Sequence, residues 1–150
     1  MAEEIRSAVL TFTRLESPSR VLELGAGTGR VALPFILAGD RFIGIDVSQA
    51  MLARLQEKAA SAGRHCELIA ADITEPLPFV GEAFDLILGV HVFHLIERWQ
   101  PALREARRVL RKPGGWLLIA GDERPAYPTG CPQRMQKRAP GLSSAPHSVQ

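Results

Sequence analysis

Residues 23–30 combine a carboxylate with alternating glycines. Gly25, Gly27 and Gly29 follow Glu23, and Arg30 stands where a dinucleotide-binding G-x-G-x-x-G loop would carry its third glycine. Glycines allow a tight turn and let a ligand approach the backbone closely. A helix that begins after such a loop presents free N–H groups and a partial positive charge. This spacing therefore predicts a binding loop for a ligand that carries a carboxylate or a phosphate.

Two further carboxylates come directly after the next two apolar runs. Asp46 lies about 20 residues beyond Glu23, where a doubly wound fold places the acid that binds ribose hydroxyls. Asp72 follows the run at 66–70. Each has a simpler interpretation, because Asp46 competes with Ser48 as the cap of the next helix, and Asp72 alone is typical of an exposed loop. Three acids after three consecutive runs form one constellation, and we expect Asp46 to bind a ribose.

The elements that must position these acids alternate between strands and helices. The predicted strands are residues 21–24, 42–45, 66–70, 84–89 and 116–120. The predicted helices are a first one with Ile5, Val9 and Phe12 on one face, then 30–38, a helix capped by Ser48 that ends at residue 60, and 101–110. Nearly continuous apolar runs are typical of a parallel sheet covered on both faces. The sequence therefore predicts an α/β fold, with a doubly wound, mostly parallel sheet of about five strands and helices on both faces.

Composition divides the chain near residue 121. Residues 122–150 contain five of the 11 prolines and no Ile, Phe or Trp, so they cannot bury enough apolar surface to offset the entropy lost on ordering. We expect one domain over residues 1–121 and a Pro-rich, disordered, irregular tail over 122–150.

Charge and cysteine content exclude several classes of partner. A net charge of +2 gives no basic field that demands nucleic acid, and Arg134, Lys137 and Arg138 in the tail are typical of a solvated run. Cys66 and Cys131 are too few for a disulfide framework and match no metal spacing, so we expect no metal and a reducing, cytoplasmic location. No apolar run approaches the roughly 18 residues of a membrane span, and we expect no membrane association.

The stretch Glu23-Leu24-Gly25-Ala26-Gly27-Thr28-Gly29 resembles the first motif of class I S-adenosylmethionine (SAM) dependent methyltransferases, acid-x-G-x-G-x-G. The resemblance implies a Rossmann-like fold and SAM as the cofactor. It also implies that the adenine amine faces Asp72, that Ile73 lies beside the adenine ring, and that the backbone of Gly89 contacts the methionine end of SAM. The cofactor-binding residues that it implies are Glu23, Gly25, Ala26, Gly27, Thr28, Gly29, Asp46, Val47, Met51, Asp72, Ile73 and Gly89.

Two later stretches extend the resemblance over residues 1–121. Residues 84–95 resemble the fourth motif but lack the Asn/Asp-Pro-Pro-aromatic sequence of methyltransferases that act on adenine or glutamine. Residues 109–116 resemble the turn into strand five that is common in small-molecule members. The resemblance implies transfer of a methyl group to a small-molecule acceptor. The family adds a helix and two strands after strand five, so we expect a shortened sheet whose open edge favours a homodimer.

The catalytic residue is unassigned, with His91 and His94 as candidates. Methyl transfer needs alignment and exclusion of water, and a base matters only for a nucleophile that must lose a proton. Both histidines also fit a packing or surface role. We expect Phe93 and Trp99 to pack in the core rather than stack on a substrate, and His65 to be incidental.

Three other functions stay open. A SAM-binding or regulatory module without catalysis fits the missing C-terminal elements. An NAD(P)-dependent oxidoreductase is opposed by the glycine spacing, and nucleic-acid binding has only the tail cations in its favour.

Overall fold

Residues 2–17 and 19–121 are described by a computed structural model, so the expectation for the tail at 122–150 lies outside the described residues. The helices are α1 (Ala2–Thr13), α2 (Ala32–Ala38), α3 (Gln49–Ser61) and α4 (Trp99–Val109), with a single 3₁₀ turn at Phe93–Leu95. The strands are β1 (Arg20–Leu24), β2 (Arg41–Asp46), β3 (Glu67–Ala70), β4 (Leu86–Val90) and β5 (Trp116–Ala120). No helix within the described ranges is long and apolar enough to cross a membrane.

The five strands form one sheet in the order β3-β2-β1-β4-β5, and every pairing is parallel. The predicted doubly wound, Rossmann-like fold is therefore confirmed. The chain order reverses between β1 and β4, which makes the carboxyl ends of these strands the switch point where such sheets bind ligands.

Alternate side chains of each strand serve two separate cores. On one face, Val21 of β1 and Leu86 of β4 pack with the apolar sides of α1, α2 and α3. On the other face, Leu22 and Leu24 pack with α4 and the segment that connects β3 to β4. Because both faces are covered, the central strands β1 and β4 are almost wholly buried. The continuous apolar sequence of β4 predicts this burial, whereas β1 is buried although it contains Glu23.

Two helices begin at residues other than those predicted. The predicted start of α2 at residue 30 is wrong, because Gly29 has a φ of +86° and the helix begins only at Ala32, after Val31. Pro34 then lies in the first turn, where a missing N–H removes no helical hydrogen bond. The predicted start of α4 at residue 101 is also wrong, since the helix begins at Trp99 and Pro101 occupies its first turn.

Candidate functional site

The glycine loop after β1 is attached to the carboxyl end of β2. The backbone N–H groups of Gly25 and Ala26 both donate to the carbonyl oxygen of Ile45, at 2.8 and 2.9 Å. From α3, Nζ of Lys58 donates to the carbonyl oxygen of Thr28 at 2.8 Å. Groups from β2 and α3 therefore hold the glycine loop in one conformation.

The three glycines of the loop have positive φ angles but different surroundings. A Cβ at Gly25 (φ +75°) would lie 2.5 Å from Cγ2 of Val92, and a Cβ at Gly29 (φ +86°) would overlap the side chain of Leu55. At Gly27 (φ +53°) the nearest atom to such a Cβ is Sδ of Met51, at 4.0 Å. Packing thus accounts for the glycines at 25 and 29, whereas Gly27 faces open space that a ligand can occupy.

Asp46 joins the glycine loop to the start of α3. Its Oδ2 accepts a hydrogen bond from the N–H of Gly27 at 2.9 Å, and its Oδ1 accepts one from the N–H of Ser48 at 2.8 Å. The cap of α3 is Ser48, whose Oγ accepts from the N–H of Met51, so Asp46 does not cap that helix. A carboxylate has about four acceptor positions, so Asp46 retains acceptors for a ligand.

Two large apolar side chains stand exposed beside this carboxylate. Val47 is 72% exposed and Met51 is 46% exposed. Both follow the carboxyl end of β2, and Met51 also borders the open space at Gly27. They form an apolar surface that suits an aromatic ring, next to acceptors that suit hydroxyl groups.

Glu23 is buried near the end of β1. Its side chain is 2% exposed, and Oε2 has no hydrogen-bond partner among the residues that the structure describes. Burial, followed by the negative charge of Asp46, raises the pKa of Glu23 well above its ordinary value, while Arg30 acts in the opposite direction.

The acid after β3 lies on the surface and is held by its own turn. Oδ1 of Asp72 accepts from both the N–H and the Oγ1 of Thr74, at 2.8 and 2.7 Å. These hydrogen bonds lower the pKa of Asp72. Ile73 is only 6% exposed and packs in the core with Leu22 and Leu24, so its backbone is better placed than its side chain to meet a ligand.

The turn after β4 packs against the glycine loop through Val92. A Cβ at Gly89 would lie 2.5 Å from the Phe93 ring, which explains that glycine by close packing. His91 adopts a φ of +54°, and its N–H donates to the carbonyl oxygen of Ala120 on β5 at 2.8 Å. The left-handed region is uncommon for residues other than glycine, although histidine is among those that adopt it more often. The half-buried side chain of His91 lies at the carboxyl end of the sheet.

The histidine and aromatic side chains considered in the sequence analysis differ in burial and position. The rings of His91 and His94 meet edge to face with centroids 6.4 Å apart, and His94 is exposed. Phe93 and Trp99 are buried in the core, as predicted. His65 is exposed before the amino end of β3, opposite to the candidate site.

Some residues of this site have no signal in the sequence. Val92, Leu55 and Lys58 shape or hold the glycine loop across long sequence separations. No motif connects these residues with the glycines, because their contacts arise only when the strands and helices pack.

Comparisons with known proteins identify the family of this chain. A family model described as a methyltransferase domain matches residues 21–115. YcgJ, an uncharacterized methyltransferase of Bacillus subtilis, is 33% identical over 100 residues, which are 67% of this chain and 40% of that protein. Its crystal structure has a TM-score of 0.69 at 26% identity, over 77% of this chain and 49% of that chain.

Two further proteins show the range of named activities. The demethylmenaquinone methyltransferase of Thermus thermophilus is 35% identical over 117 residues, 77% of this chain and 51% of that protein. The crystal structure of the 4+2 cyclase SpnF has a TM-score of 0.69 at 29% identity, over 78% of this chain and 43% of that chain.

The chain spans about half the length of the curated relatives that it matches. The matched family segment nevertheless includes the glycine loop, all three acids and the turn into β5. The chain therefore belongs to the methyltransferase domain family, and its fold is that of the class I, SAM-dependent methyltransferases.

Proposed function

We propose that this chain binds SAM across the carboxyl ends of β1 and β2, and that the protein transfers the methyl group to a small-molecule acceptor. The observation that carries the proposal is the open space at Gly27, which is bordered by the carboxylate of Asp46 and the exposed side chain of Met51. A ribose needs hydrogen-bond acceptors and a purine needs an apolar surface, and both lie beside this glycine.

The residues present fit such a cofactor from end to end. Asp46 would hold the ribose, Val47 and Met51 would cover the adenine ring, and Asp72 with the backbone of Ile73 would meet its amine. Oδ2 of Asp72 carries neither of the hydrogen bonds from Thr74, which both reach Oδ1.

At the other end of the cofactor, the glycine loop with Ala26 and Thr28 would hold the methionine portion, and Gly89 would border it. Glu23 offers a buried carboxyl oxygen without a hydrogen-bond partner among the described residues. Such an atom suits a cationic group brought in by the ligand.

Bound SAM supplies a methyl group on a positively charged sulfur. The residues of this chain contribute orientation and exclusion of water, since the loop and the turn after β4 are packed before a ligand arrives. If the nucleophile of the methyl acceptor must lose a proton, His91 and His94 are candidates for the base that takes it.

A small-molecule acceptor is supported by the sequence and by a relative. Residues 84–95 lack the motif of enzymes that methylate adenine or glutamine, and one relative is named a demethylmenaquinone methyltransferase. The cytoplasmic location, the absence of nucleic-acid partners and the homodimer stay predictions from the sequence.

A second candidate follows from the likeness to a cyclase. SpnF has the same fold but is named a 4+2 cyclase. Proteins with this fold therefore include one that is named for a reaction other than methyl transfer. In that case the chain would bind SAM without consuming it. The non-catalytic binding module of the sequence analysis makes the same prediction.

Thermal melting with SAM, S-adenosylhomocysteine, NAD or no ligand tests the cofactor. A ligand at a hundred times its dissociation constant adds about 2.7 kcal/mol of stability, which raises the melting temperature of a chain this size by roughly 5–10 °C. We expect this rise with SAM and S-adenosylhomocysteine, no rise with NAD, and no rise for any ligand in Gly27→Val. A rise with NAD alone would refute the proposal.

Transfer of labelled methyl groups from SAM into a pool of small metabolites then separates the two candidate functions. A labelled product supports methyl transfer. Binding of SAM without any labelled product, tested on the whole protein, favours the cyclase-like or regulatory alternative.

A further inference from the structure

The side chain of Glu23 is buried near the carboxyl end of β1. Alternation along β1 directs it to the same face as Val21, which is covered by α1, α2 and α3. Its parallel neighbours are Gly44 on β2 and Leu88 on β4, neither of which can donate a side-chain hydrogen bond. Glu23 is thus 2% exposed, and its buried Oε2 has no hydrogen-bond donor among the residues that the structure describes.

The nearest charges do not favour ionisation of this group. From β2, Asp46 adds a second negative charge, and Arg30 at the end of the glycine loop only partly opposes it. β4 carries no charged side chain beside Glu23, and the nearest titratable residue after that strand is His91.

Two basic side chains of the covering helices have partners other than Glu23. On α1, Arg6 pairs with Asp40 at 2.7 Å. On α3, Lys58 donates to the carbonyl oxygen of Thr28. Asp85, at the far end of the sheet, pairs with Arg111 at 2.8 Å.

We propose that Glu23 is a neutral carboxylic acid in the ligand-free protein and releases its proton when a ligand with a cationic ammonium group binds at the glycine loop. The proton passes to solvent, and the ligand's charge replaces it as the partner of the carboxylate. This inference rests on the proposed function, because the methionine portion of SAM carries such a group. It makes cofactor affinity rise with pH, since binding is then coupled to the loss of a proton.

Isothermal titration with S-adenosylhomocysteine measures this proton directly. Titrations in two buffers of different ionisation enthalpy, between about pH 5.5 and 7.0, keep an α-ammonium group protonated. We expect release of up to one proton and an affinity that rises by up to about tenfold per pH unit. 5′-Methylthioadenosine, which lacks the ammonium group, should bind without proton release.

Two variants separate Glu23 from the other titratable groups. Glu23→Gln keeps the shape of the neutral acid, so its binding of S-adenosylhomocysteine should release no proton and lose the pH dependence. Asp72→Asn, an acid on the surface of the same site, should release the same proton as the wild type. Equal proton release by wild type and Glu23→Gln would overturn the inference while leaving SAM binding intact.

The protonation state is also measurable without any ligand. Infrared difference spectra of the wild type should show the carbonyl band of a protonated carboxyl group at neutral pH, absent in Glu23→Gln. Absence of that band in the wild type overturns the inference. If S-adenosylhomocysteine does not bind at any pH, the proposed function fails, and the infrared band still decides whether Glu23 is neutral.

Discussion

Replacing Asp46 with asparagine tests how the candidate site is assembled. Both carboxylate oxygens accept a backbone hydrogen bond, from the N–H groups of Gly27 and Ser48. Asparagine keeps one acceptor oxygen and turns an NH₂ group toward the other donor. The variant must therefore lose at least one of the two hydrogen bonds, whichever way its amide is oriented.

The size of the effect follows from the kind of bond lost. Hydrogen bonds to charged groups contribute about 1.5–3 kcal/mol each. Asp46 is half-buried, so water can reach the freed donor and the lower end of that range applies. We expect Asp46→Asn to lower the free energy of unfolding by about 1.5 kcal/mol, or the melting temperature by roughly 3–6 °C. Affinity for S-adenosylhomocysteine should fall by about tenfold or more, since a lost contact of about 1.4 kcal/mol corresponds to that factor.

Asp72→Asn is the matched control for this substitution. Only Oδ1 of Asp72 receives the two hydrogen bonds from Thr74, and the oxygen of asparagine can accept both. Its unfolding free energy should stay within about 0.5 kcal/mol of the wild type. Equal melting temperatures for Asp46→Asn and Asp72→Asn would refute the claim that Asp46 holds the loop. A destabilised Asp46→Asn that binds S-adenosylhomocysteine normally would refute its assignment to the ribose.

Three further predictions use other parts of the structure. Gly27→Val should fold but fail to bind S-adenosylhomocysteine in calorimetry. Gly25→Ala should lower the melting temperature more than Gly27→Val does, because its Cβ would overlap Val92. A larger loss of melting temperature in Gly27→Val would contradict the packing described above. The hydrogen bond from Arg108 holds the pKa of Glu105 at about 2, so its contribution to stability is present above about pH 4.5 and is lost as the pH falls toward 2. The melting-temperature difference from Glu105→Gln should shrink over that interval, and a difference that stays constant from about pH 4.5 down to about pH 2 would contradict the prediction. His91→Asn, which tolerates a left-handed φ, should keep its melting temperature but lose at least about a hundredfold in methyl transfer if His91 accepts the proton, and unchanged turnover would remove it as a candidate.

Much of the architecture could be predicted because it depends on local patterns. Continuous apolar runs separated by helical periodicity indicate a covered parallel sheet wherever they occur. The acid and glycines of residues 23–29 specify a tight turn with room for a ligand, and Asp46 and Asp72 follow from the rule that sites lie at the carboxyl ends of strands. The first residues of α2 and α4 do not follow from the sequence, because Pro34 and Pro101 are compatible with a first turn as well as with a break.

Other features depend on contacts between residues far apart in the chain. The sequence shows three equivalent glycines, but only the packed structure distinguishes Gly27, which faces open space, from Gly25, which Val92 excludes from carrying a side chain. Likewise, an acid at position 23 is visible in the sequence, whereas its isolation from water is produced by helices that cover one face of the sheet. The sequence by itself thus determined the strand–helix order and which residues could bind a ligand, since these follow from spacing along the chain. Only the tertiary structure decided which of them have free space, bound partners or a buried charge, because those properties depend on side chains that the fold brings together from distant positions.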